Sequence, residues 1–97
     1  MRFTKIDGNK GIINIPGAWS LEETDIITEE ISIIINKGIN TFVFDFRGTS
    51  SVDSAGIQKI IELKRHFGAD NVKGQNVEDG SEIYYLLRGA KLLDLIN

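Results

Sequence analysis

The chain has 97 residues, 41% of them hydrophobic and 26% charged, and no cysteine. That is one domain of ordinary globular composition, so disorder, collagen-like repeats, disulfide scaffolds, thiolate zinc sites and iron–sulfur clusters are excluded. Eleven Lys and Arg residues against fourteen Asp and Glu give a formal net charge of -3, and the basic residues are too scattered to make a stripe for a phosphate backbone, so nucleic acid is not an expected partner. The longest pure aliphatic run, Ile33-Ile34-Ile35, falls far short of the roughly 20 residues of a membrane span. No apolar segment follows Met1-Arg2 as a signal peptide requires. The expectation is a soluble, cytoplasmic protein with no direct membrane insertion.

Taken in chain order, Arg2–Ile6 reads as a first short strand and Ile12–Ile15 as a second. The turn chemistry of Asp7-Gly8-Asn9-Lys10-Gly11 between them makes an antiparallel hairpin. Pro16-Gly17 stops the second strand. Ser20, three residues before Glu23, is a capping-box pattern for a helix over 21–36. Ile27, Ile31, Ile34 and Ile35 form its apolar face, and Lys37-Gly38 close it. Thr41–Phe46 is a strand of aromatic and β-branched residues without polar alternation, as expected of one covered on both faces. Strand, helix and strand in this order imply a parallel crossover.

Residues 47–52 read as a loop of small polar residues, and Asp53-Ser54-Ala55-Gly56 opens a second helix whose apolar face is Ile57, Ile60, Ile61 and Phe67. Gly68 ends it. Residues 71–77 hold only Val72 and Val77 as apolar side chains, so any strand there is short or at an edge. Asp79 and Glu82 repeat the capping-box spacing ahead of a third helical face, Ile83, Leu86, Leu87 and Ala90, with Gly89 as a cap. The apolar tail over 91–97 must dock on its own sheet or on a second copy in a homodimer. The sum is an α/β fold: a small mixed β-sheet with helices packed mainly on one face.

The densest polar constellation is the stretch from Asp45 to Gly56. Asp53 sits at a helix N-cap, where a carboxylate accepts backbone N–H bonds. Ser54 then falls in the first turn, at the positive end of the helix dipole. That is a suitable place for a phosphoryl group, which adds about −1.5 to −2 charge and finds N–H donors there. The plain alternative is a helix cap and nothing more. Trp19, after the Pro-Gly turn, serves equally as an exposed interface anchor or as a staple on the first helix. Arg47 is a contact for a partner carboxylate or nucleotide, or a solvated cation. His66 lies twelve positions beyond Ser54, roughly 18 Å along a helix, so no Ser–His–Asp site forms. No Gly-rich phosphate loop or metal-ligand spacing occurs. The chain is not expected to be an enzyme, and no cofactor is implied.

The segment Asp45 to Ile57 resembles the signature of the STAS domain family, which includes bacterial anti-sigma-factor antagonists. That pattern is Asp-Leu-Ser-Gly, four variable positions ending in a hydrophobic residue, then Asp-Ser-(Ser or Ala)-Gly-(Leu or Ile). Asp45, Gly48, Val52, Asp53, Ser54, Ala55, Gly56 and Ile57 fall in register with it. Gly17 matches the family's glycine before the first helix, and Leu86, Leu87, Gly89, Leu92 and Leu93 resemble its closing Leu-rich stretch. Arg47, Ser51, Ala90, Trp19 and Ser20 depart from the usual residues.

The resemblance implies a single STAS-like domain over 1–97 and an anti-sigma-factor antagonist. Ser54 would be phosphorylated by a partner anti-sigma factor, a serine kinase of the histidine-kinase-like ATPase type, and phosphorylation would break the complex. The partner-binding residues it implies are Gly17, Trp19, Ser20, Arg47, Gly48, Thr49, Ser50, Ser51, Asp53, Ser54, Ala55 and Gly56. The family also supplies the alternative, an accessory subunit of a membrane complex transporting lipids or anions.

Overall fold

A computed structural model describes residues 1–96. Asn97, the last residue of the expected tail, lies outside the described residues. The first hairpin is present as β1 (Thr4–Asp7) and β2 (Lys10–Asn14), antiparallel with Thr4 opposite Ile13. A short strand β3 (Gly17–Trp19) leads into helix α1 (Leu21–Asn36). Strands β4 (Thr41–Asp45) and β5 (Thr49–Val52) precede helix α2 (Ser54–Phe67). Strand β6 (Val72–Gln75) and helix α3 (Glu82–Gly89) complete the regular elements. Single 3-10 turns lie at Ala69–Asn71 and Leu93–Leu95.

The main sheet has the order β1-β2-β4-β6, with β2, β4 and β6 parallel. One face carries Ile13, Phe42, Phe44 and Val72, all buried, beneath Ile27, Ile31 and Ile34 of α1 and Ile60 and Leu63 of α2. Helix α1 approaches β2 closely because residue 11 is glycine: a Cβ there would come within 3.0 Å of the Ile34 side chain.

The opposite face differs from the expectation for β4. Lys5, Ile12, Val43 and Lys73 form one row across the four strands, with the lysines exposed and the two apolar residues half-buried. The helices α1 and α2 cover one side of the sheet, and the apolar centre of the other side is only half-buried. Ile35 also departs from the expected face of α1, being 39% exposed, because the stripe under the sheet runs through Ile27, Ile31 and Ile34.

Two ends fall at different residues than the spacing implied. Helix α3 is capped by Ser81, whose Oγ accepts the Tyr84 N–H at 3.1 Å, not by Asp79. Its C-terminal turn closes through Ala90 and a left-handed Lys91, with Gly89 still helical. The polar edge strand is real. Gly74 within it leaves the space that the tail occupies: a Cβ there would collide with the Leu95 carbonyl. Leu92 and Leu95 are buried in the chain's own core, so the tail docks on its own sheet.

Candidate functional site

The expected loop over 47–52 is built more tightly than its composition implied. Residues 49–52 form β5, which pairs in parallel with β3 as a second, two-stranded sheet. The Gly17 N–H donates to the Gly48 carbonyl at 2.8 Å, and the Asp53 N–H donates to the Trp19 carbonyl at 2.8 Å. The Thr49 hydroxyl donates to the Ile15 carbonyl at 2.6 Å. Gly48 adopts φ +77 in the turn that reverses the chain after β4, a conformation that favours glycine. Both ends of β5 are therefore fixed to the segment that precedes α1.

Trp19 lies beneath this small sheet. It is 2% exposed, stacks on Phe44 with ring centroids 5.8 Å apart, and donates its indole N–H to Thr24 Oγ1 at 2.8 Å. Of its two expected roles the structure shows the packed one. Its place among the surface contacts is corrected: a buried indole whose N–H is satisfied inside the chain offers a partner nothing. Gly56 is likewise buried, and a Cβ there would come within 2.8 Å of the Trp19 ring and of Val52. The start of α2 rests on Trp19 through that glycine.

Asp53 is the N-cap of α2, with Oδ1 accepting the Ala55 N–H at 2.6 Å. Ser54 is the first helical residue, exposed, and its hydroxyl makes no hydrogen bond among the described residues. Of the expected contact residues, Gly17, Ser20, Arg47, Gly48, Ser50 and Asp53 are exposed, and Thr49, Ser51 and Ala55 are half-buried. The pairing of β3 with β5 sets Gly17 beside Thr49, and β5 runs directly into the start of α2 at Asp53 and Ser54. Ser20 faces solvent at the start of α1, where its N–H donates to the Glu23 carboxylate at 2.8 Å and its hydroxyl bonds the same group. These bonds from Ser20 hold the Glu23 carboxyl below its ordinary range.

Three residues that sequence reasoning did not assign to the site brace it from behind. Asp45 Oδ1 accepts the Arg47 N–H at 3.0 Å and the Asn76 side-chain amide at 2.8 Å. Asn14 donates its side-chain amide to the carbonyls of Asp45 and Arg47, at 2.8 and 2.9 Å. Partial burial pushes the Asp45 carboxyl up, but the donors from Asn76 and Arg47 outweigh it and hold the group below its ordinary range. Asp45 heads the signature in the sequence. Its partners at positions 14 and 76 are distant in the chain and carry no local signal.

Other chemistry is not assembled. His66 is exposed near the far end of α2, and no group of three or more His, Asp or Glu gathers for a metal among the described residues. No helix among them is long and apolar enough to cross a membrane.

Comparison with known proteins agrees with this fold. The STAS domain family model matches residues 2–96. The anti-sigma factor antagonist SpoIIAA, in its unphosphorylated form, superposes with a TM-score of 0.70 at 18% identity, over 92% of this chain and 78% of that one. The crystal structure of Mglu superposes with a TM-score of 0.61 at 21% identity, over 80% of this chain but 20% of that one. At these identities the two likenesses establish the fold. A search of curated protein sequences finds no significant match.

Proposed function

The chain belongs to the STAS domain family, and we propose that it is a regulatory binding protein of the anti-sigma-factor-antagonist type, switched by phosphorylation of Ser54. The observation that carries this reading is the start of α2: an exposed serine whose hydroxyl is unengaged, because Asp53 supplies the cap in its place. The likeness to SpoIIAA, an anti-sigma factor antagonist by its own description, supports it. The partner is a serine-kinase anti-sigma factor of the histidine-kinase-like ATPase type. It docks on Gly17, the turn and strand residues Arg47–Ser51 and the helix start Asp53–Ala55, with Ser20 at the margin.

Transfer of a phosphoryl group from ATP to Ser54 Oγ releases ADP and a proton. It moves the net charge from -3 to about -5. The helix tolerates the new anion, since the dipole and the first-turn N–H groups favour negative charge there. The partner does not: an interface formed around a neutral hydroxyl must now bury an uncompensated dianion. The switch acts on the complex and leaves the fold intact.

The test is a pull-down from native lysate with wild type, Ser54→Ala and Ser54→Asp, joined to phosphate transfer from labelled ATP by the retained material. Wild type and Ser54→Ala are expected to retain a small ATPase of the stated type, and Ser54→Asp to lose it. Label is expected on wild type and not on Ser54→Ala. Equal retention by Ser54→Ala and Ser54→Asp overturns the switch. Transporter subunits held by both variants would instead establish the accessory-subunit role.

A further inference from the structure

A cleft of about 580 Å3 opens beside the docking loop. One wall is the turn after β4, from Phe46 to Ser50. The other is the segment after β6, Asn76 to Glu78, with Ser81 and Ile83 at the start of α3. These walls grow from two parallel strands that end side by side, with Asp45 opposite Gln75. The Phe46 N–H donates to the Gln75 carbonyl at 3.0 Å as a last backbone tie. Beyond it the two chains diverge, and the link between them is a side chain. Asp45 Oδ1 accepts from the Arg47 N–H at 3.0 Å on one wall and from Asn76 Nδ2 at 2.8 Å on the other. One carboxylate oxygen, set behind the cleft and not in its lining, ties the two walls together. Asn76 stands at φ +60, a left-handed conformation in which asparagine is enriched among non-glycine residues, and this turns its amide toward Asp45.

We infer that Asp45 is the positioning residue of this surface: its carboxylate sets the aperture between the docking loop and the segment after β6, and so fixes where Arg47, Thr49 and Ser50 stand when a partner arrives. The inference rests on reading residues 47–51 as part of the partner-binding face. Asp45 does not act on Ser54 by contact; it acts through the loop. Bonds to an ionised acceptor are the strong ones, and a loop ordered before binding loses less freedom on binding. Asn14 completes the device by holding the carbonyls on either side of the turn. Arg47 is the charged group that acts on Asp45 from the loop, and Met1, Arg2 and Lys5 line a shared depression with it on the N-terminal side.

The experiment compares the full chain as wild type, Asp45→Asn and Asp45→Ala by amide NMR and hydrogen exchange. The Arg47 backbone amide and the Asn76 side-chain amide of wild type are expected to shift together in a single acid titration step, because both report on one oxygen. Asp45→Ala is expected to abolish that step and to speed exchange at the Arg47 and Thr49 amides on the order of 10-fold, with the amides of β2 and α1 unchanged. Asp45→Asn keeps an acceptor oxygen and is expected to restore most of the protection. Separate titrations of the two amides, or unchanged exchange in Asp45→Ala, overturn the inference.

Binding of the ATPase captured by wild type adds the functional arm: a loss on the order of 10-fold is expected for Asp45→Ala, and undiminished binding overturns the inference. Should wild type capture no such ATPase, the docking reading fails on its own account, and the NMR arm still decides whether Asp45 holds the two walls.

Discussion

Helices α1 and α2 both begin beside a serine, and the two serines are used in opposite ways. Ser20 is the N-cap of α1, and its N–H and hydroxyl both bond the Glu23 carboxylate. Ser54 sits one position inside α2, where Asp53 does the capping. A serine that caps has a hydroxyl committed to the fold, and modifying it would undo a helix end. A serine placed just after an aspartate cap keeps the same favourable electrostatics with a hydroxyl left over. Ser81, which caps α3 by accepting the Tyr84 N–H, belongs with Ser20. Ser54 is thus distinguished from the two capping serines by one residue of register.

The two helix starts are joined by Trp19, and breaking that joint has the largest expected effect. The ring bonds Thr24 of α1 on one side and lies under Gly56 of α2 on the other. Trp19→Ala is expected to cost about 3–5 kcal/mol, the usual range for removing a large buried aromatic. That is a large share of the roughly 5–15 kcal/mol by which such domains are stable. Trp19→Phe, which loses the indole N–H and less volume, should cost clearly less. Urea unfolding followed by circular dichroism measures both, since Trp19 is the only tryptophan. A cost below about 1 kcal/mol for Trp19→Ala would mean that the helix starts are held together by something else.

Acid sharpens the comparison from the α1 side, with an effect smaller than loss of Trp19. Glu30 on α1 is buried, which pushes its carboxyl up. It nevertheless accepts the Arg2 and Phe3 backbone N–H groups at 2.9 and 3.0 Å, and these bring it below its ordinary value of 4.5. Asp45 is held below its ordinary value of 3.8 in the same manner. A carboxyl whose folded value is lowered stabilises the fold fully above its unfolded value, and that share is lost as pH falls through the folded one. Stability is therefore expected to decline as pH drops below about 4.5. Glu30→Gln should flatten part of that decline in unfolding curves collected across the range. An unchanged slope in Glu30→Gln would place the acid sensitivity elsewhere.

How much of this was legible in the sequence depended on distance along the chain. The bounds of α1, the first hairpin, the start of α2 at Ser54 and the strand before the motif all follow from local periodicity and caps. Strands β3 and β5 did not show, because Gly-Ala-Trp and Thr-Ser-Ser-Val are too short and too rich in small residues to carry alternation; they exist because each pairs with the other across the crossover. Trp19 was undecided for the same reason: whether an aromatic after a turn faces inward depends on what lies beneath it, here Phe44 and Gly56. The half-open sheet face was hidden by Val43, whose aliphatic character reads as buried although it is only half-buried, between Ile12 and the exposed Lys73. The bracing by Asn14 and Asn76 is non-local entirely. Asparagines near turns are common, and only the folded chain shows that both aim at the two ends of Asp45.

The smallest expected effect is the most telling one. Ser20→Ala removes a hydroxyl that the fold uses and should cost about 1 kcal/mol, as loss of an N-cap usually does. Ser54→Ala removes a hydroxyl that the fold does not use, from a position where alanine is a good helix former. It should change stability by less than about 0.5 kcal/mol. Measured side by side in urea, the pair separates structural from spare serine without any partner or kinase present. A cost for Ser54→Ala equal to that of Ser20→Ala would show that the Ser54 hydroxyl is committed to the helix after all. Phosphorylation there would then have to disturb the end of α2 as well as the complex, and the switch would be one of local folding more than of surface charge.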